Sequence, residues 1–101
     1  MNLVPTTVTT TATADSGYTL WCCNCAGGSF TLSLDDAEAE GTVFYIKRID
    51  NNALASLTIN TTTSKTIDGA SSITLGILST LTGSNRVMVT KVGVNWLITG
   101  I

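Results

Sequence analysis

The chain contains no histidine, only 12% charged residues, and three cysteines confined to four consecutive positions. Without a histidine there is no ready base to convert Cys22, Cys23 or Cys25 into a thiolate, which argues against Cys-His nucleophilic catalysis. Those three thiols also fall one short of a structural zinc site, which takes four ligands. An odd number of closely spaced cysteines does not suit a disulfide-stapled secreted fold, so reduced thiols packed in a core or an interface are expected. No window approaches the ~20 apolar residues needed to span a bilayer, and the N-terminus lacks a signal-peptide pattern, so neither membrane insertion nor export is expected.

Charge is sparse as well as low. Lys47, Arg48, Lys65, Arg86 and Lys91 form no run, and the formal net charge is −2, so nucleic-acid binding through phosphate neutralisation is not expected. The acidic stretch Asp35-Asp36-Ala37-Glu38-Ala39-Glu40 lacks the alternating acidic pattern of a calcium loop and reads as a solvated connection, with propensity for one or two helical turns. No metal, cofactor or catalytic residue is assigned, and the chain is read as a non-enzyme.

What is present is β-forming material. Threonine makes up about a fifth of the 101 residues, and stiff β-branched side chains suit a pleated surface. Residues 18–23 read as a strand, Gly27-Gly28 breaks it, and Phe30-Thr31-Leu32-Ser33-Leu34 alternates strictly, which points Phe30, Leu32 and Leu34 at one core. Residues 42–49 form the most apolar strand, expected to be central and covered on both sides, with Val43, Tyr45 and Lys47 on one face and Phe44, Ile46 and Arg48 on the other. Residues 54–60 are expected to return as its antiparallel partner, with Leu57 and Ile59 inward. Asp50-Asn51-Asn52 and Asp68-Gly69 supply turn chemistry. Ile73-Thr74-Leu75 reads as a short strand, and residues 86–91 and 94–98 as a terminal hairpin. Seven or eight short strands imply an all-β fold, a small antiparallel sandwich or barrel. Residues 1–15, poor in large apolar side chains, read as an extended N-terminal arm on a single domain of residues 16–101.

Three segments, taken in order, carry a resemblance: Gly41-Thr42-Val43-Phe44-Tyr45-Ile46-Lys47-Arg48-Ile49-Asp50, then Thr66-Ile67-Asp68-Gly69-Ala70, then Val94-Asn95-Trp96-Leu97-Ile98. With the strands before them they resemble the small all-β module of tailed-phage virion proteins, found in tail fibres, head fibres and capsid decorations, over residues 18–98. Two features depart from that pattern: Leu34 is followed by Asp35 where proline is usual, and the cysteine cluster is extra. The resemblance implies a jelly-roll-like homotrimer in the virion, made in the host cytoplasm. Because only about 15 residues of arm precede the module, a decoration that docks on the capsid and opposes rupture of the shell is expected over a complete fibre. Leu3, Val4, Pro5 and Val8 are the expected capsid-attachment residues. Trp21, Phe44 and Trp96 are the expected trimer-packing residues. Its partners would be itself, the major capsid protein or another virion protein. The alternative is a receptor-binding tip that recognises host glycans through Asn51, Asn52, Ser84 and Asn85.

Overall fold

Among the described residues the chain forms nine strands: Pro5–Val8 (β1), Ala12–Ala14 (β2), Leu20–Cys23 (β3), Phe30–Leu34 (β4), Val43–Arg48 (β5), Leu57–Thr61 (β6), Ile73–Leu75 (β7), Arg86–Val92 (β8) and Asn95–Gly100 (β9). The computed structural model describes residues 3–77 and 85–100, and no helix occurs among them. A five-stranded sheet has the order β1-β3-β5-β8-β9, and a four-stranded sheet the order β2-β4-β6-β7. Their inner faces pack together as a β-sandwich-like pair of layers, with Trp21, Cys23, Phe44, Ile46, Val89 and Trp96 from one sheet meeting Leu32, Leu34, Leu57 and Ile59 from the other.

The pairing is mixed, not antiparallel. From β1 to β6 the chain alternates between the two sheets, so each strand enters its sheet running the same way as the strand two before it. Thus β1, β3 and β5 pair in parallel, as do β2, β4 and β6. A parallel pair requires a crossover of a dozen or so residues, and here each crossover contains a strand of the opposite sheet. Residues 57–61 therefore do not return against β5 as expected. They form β6 beside β4, with Leu57 and Ile59 inward. Only the last third turns back: β7 runs antiparallel to β6, β8 to β5, and β9 to β8.

The segment expected as an arm is built into both sheets. Val4 receives the Thr19 and Leu20 amides on its carbonyl and donates its own N–H to Thr19 Oγ1. Val8 packs against the core, and Ala14 is completely buried. Extended Thr-rich chain with an apolar residue at the right parity finds unpaired strand edges to complete. Residues 35–40 form no helical turn. The Asp35 carboxylate accepts the Ala37 N–H and its carbonyl accepts the Glu38 N–H, a side-chain-capped turn that competes with helix.

Two turns follow their residue chemistry. Asp68 and Gly69 have φ of 51° and 84°, and Ile67 and Ala70 exchange both backbone hydrogen bonds, as a type I′ turn requires. Gly93, at φ 65°, opens the two-residue turn between β8 and β9. Ile67 also bridges Trp96, which ties the 62–72 segment to the free edge of β9.

Candidate functional site

On β5, Phe44, Ile46 and Arg48 point inward and Lys47 outward, the parity its sequence implies. The outer face is half-buried, so β5 is central but fully covered on one side only. A charge at the end of an apolar face must be paired, and Arg48, 2% exposed, is. Its Nε and Nη2 bond the two Asp50 oxygens at 3.0 and 3.1 Å, and its remaining donors reach the carbonyls of Leu75, Asn52 and Ala55. Asp50 also accepts the amides of Cys25 and Asn52. The Arg48 hydrogen bond and charge hold the Asp50 carboxyl far below the usual carboxylate range against the opposing effect of burial. This cluster clamps the ends of β5 and β7 to the 24–26 and 50–56 loops.

A second buried cation, Lys91, lies under the acidic connection. Its Nζ donates to the Asp36 carbonyl and, at 2.8 Å, to the Glu38 carbonyl. Asp36 accepts Trp96 Nε1 at 2.9 Å and the Thr63 hydroxyl at 2.7 Å. Burial acts to raise the Asp36 pKa, but the Thr63 and Trp96 hydrogen bonds outweigh it and the net direction is down.

The cysteines divide by parity. Cys23 and Cys25 are buried and Cys22 is half-buried on the outer face. Desolvation, with smaller contributions from Cys25, Cys22 and Asp50, pushes the Cys23 thiol up to about 12. No three metal-ligating side chains converge among the described residues.

Several residues named from sequence have different surroundings from those expected. Trp21, Phe44 and Trp96 lie inside the chain's own core, where Phe44 and Trp96 stack at 5.5 Å and Trp21 meets Phe44 edge-on at 6.4 Å. Their area is already buried within one subunit, so they are not available for packing between subunits. Asn85 is fully buried and donates to the Arg48 carbonyl, because the chain must re-enter the sheet there; it is not a receptor loop tip. Asn52 is half-buried and holds the Cys25 and Ala26 carbonyls. Asn51 is exposed, and Ser84 lies outside the described residues. Of the attachment residues, Leu3, Val4 and Pro5 are exposed, whereas Val8 faces the core.

Two of the open surfaces among the described residues bear on function. A depression of about 700 Å³ at one end of the sandwich is lined mainly by Thr9, Thr10, Thr11, Asn24, Ser29 and Phe30. Thr11 Oγ1, Asn24 Oδ1 and Ser29 Oγ each accept a backbone N–H, which fixes these side chains and leaves their own donors available. The other surface is the outer face of the five-stranded sheet. There the register sets Leu20, Tyr45 and Met88 side by side across three strands, with Cys22, Lys47 and Arg86 in the next row. Met88 lies over Gly100, where an added Cβ would meet its Cε at 3.0 Å, and the hollow between these side chains is about 400 Å³. Sequence reading missed this row because strand periodicity gives a residue's face but not its neighbours on other strands. Tyr45 and Lys47 sharing a face was the available signal. No protein-family model matches the chain, and neither does any curated protein.

Proposed function

We propose that the chain is a structural component of a tailed-phage virion, a homotrimeric decoration or head-fibre-type protein that docks on the capsid and stabilises it. The observation that carries this reading is the half-exposed apolar row of Leu20, Tyr45 and Met88 on the outer face of the five-stranded sheet, continued onto β1 by exposed Pro5, the register partner of Leu20, with Leu3 and Val4, 40 and 49% exposed, just before it. Contiguous apolar surface on a small domain marks an interaction face. Burying such surfaces between subunits and against the shell would add binding free energy that opposes shell rupture. Attachment is assigned to Leu3, Val4 and Pro5, since Val8 belongs to the core.

The test is co-sedimentation with capsids lacking the protein and, in parallel, with host cells. Saturable binding to capsids that falls at least about tenfold in Leu3→Ser/Val4→Ser is the expected result. Binding to cells alone would overturn the decoration reading.

That second outcome would favour a receptor tip, and one observation supports it: the Thr- and Ser-lined depression, whose fixed hydroxyl and amide donors suit a neutral, hydroxyl-rich ligand such as a glycan. Thr11→Val and Ser29→Ala on a glycan array would test it, with loss of binding as the expected outcome.

A further inference from the structure

Lys47 and Arg86 are direct cross-strand partners on the outer face of the five-stranded sheet, and both are exposed. Like charges placed opposite each other destabilise a sheet, and a chain with only five cations has no composition-driven reason to pair two of them. No Asp or Glu occurs in any strand of that sheet. The nearest carboxylate along the chain, Asp50, is held by Arg48.

The acids are gathered elsewhere. Asp15, Asp35, Asp36, Glu38 and Glu40 account for five of the seven, and Glu38 reaches across to the Ser16 amide, which brings the 15–16 turn to the same end. That end adjoins the start of β5, whereas Lys47 is near its finish. Seven residues of extended chain from Glu40 to Lys47 span roughly 20 Å, well beyond the screening length of ≈ 8 Å at physiological salt. The two charge clusters therefore do not compensate each other within one chain.

The geometry points to a head-to-tail contact between copies, in which the acidic 35–40 connection of one chain seats on the Lys47/Arg86 face of the next. Resting on the proposed self-association, this names the surfaces that meet. The complementarity includes shape and polarity as well as charge. Ala37 and Ala39 are exposed between the acids and are small enough to enter the hollow beside Leu20, Tyr45 and Met88, while exposed Glu40 and the Glu38 oxygen that does not hold the Ser16 amide reach the two cations. Because the contact uses two different patches, it is heterologous and closes into a ring when the rotation allows.

The experiment compares native mass by light scattering across protein and salt concentration for the wild type, Lys47→Glu/Arg86→Glu, and a fourfold variant that adds Glu38→Lys/Glu40→Lys. The expected wild type is multimeric and loses mass as salt rises. The double variant should associate at least about tenfold more weakly, and the fourfold variant should recover. A single Lys47→Glu chain separates folding from assembly. Its new opposite-charge pair with Arg86 should leave the thermal midpoint of the monomer unchanged or raised while association weakens. A multimeric wild type matched by the double variant would overturn this contact and leave the trimer reading standing. A wild type that is monomeric at every concentration would sink both. Loss without recovery in the fourfold variant would also overturn the head-to-tail pairing.

Discussion

Arg48 shows how one residue at the end of a strand can organise a whole end of the molecule. It follows Phe44 and Ile46 on the inward face of β5, and its guanidinium serves Asp50 and the carbonyls of Asn52, Ala55 and Leu75. Removing one partner of such a pair costs about 3–5 kcal/mol, because the other charge is left buried. Asp50→Asn should therefore lower the unfolding free energy at pH 7 by that order, measured by urea titration. The pH dependence has a definite sign. Asp50 has a depressed folded pKa, so its contribution is complete above the unfolded value of about 3.9 and is lost as pH falls below it. The gap between wild type and Asp50→Asn should narrow between pH 5 and pH 2, and an unchanged gap would show that the carboxylate charge is not what matters. Arg48 was legible from strand parity. Its partner was not, because Asp50 lies just past the strand, where alternation no longer says which way a side chain points. Asn85 failed for a related reason: it was expected among receptor-contacting residues, and only the return of the chain into the sheet at β8 buries it.

At the scale of elements, most strands were legible and most of their neighbours were not. Phe30 to Leu34 alternates in sequence and in burial, as expected, and the β8–β9 hairpin forms, with its turn at residues 93–94 where 92–93 was expected. Period-two patterning carries no information on strand order, however, so the parallel β1-β3-β5 and β2-β4-β6 ladders could not be read from it, and the antiparallel return of residues 54–60 was the wrong pairing. The 1–15 segment misled because threonine is equally at home in extended chain and in an edge strand. Local turn chemistry can be tested directly at the terminal hairpin. Gly93 adopts φ 65°, a conformation that costs a residue with a Cβ about 1–2 kcal/mol. Gly93→Val should destabilise by that order in a urea titration, whereas Val94→Thr, whose residue is exposed and has ordinary φ, should change little.

For the whole molecule, the two-layer all-β architecture was expected, while its winding was not. Every parallel partner lies far along the chain: Pro5 pairs with Leu20, Leu20 with Tyr45, and Phe30 with Leu57. Such separations require loop-closure entropy to be lost before contacts form, which places folding in the millisecond-to-second range of non-local β topologies. Stopped-flow refolding followed by the fluorescence of buried Trp21 and Trp96 should show a main phase in that range, and a microsecond phase with full amplitude would contradict the topology. The same winding also fixes strand directions at the two outer edges. With β3 and β5 parallel to β1, β8 opposed and β9 opposed to β8, the first and last strands of the large sheet point the same way. A pull that separates the two ends of the chain therefore drags these strands lengthwise in opposite senses, across ladders whose hydrogen bonds run sideways to the load. Many bonds must yield together under such shear, whereas a peeling geometry would break them one at a time, so the domain should be stiffest along the line joining its ends.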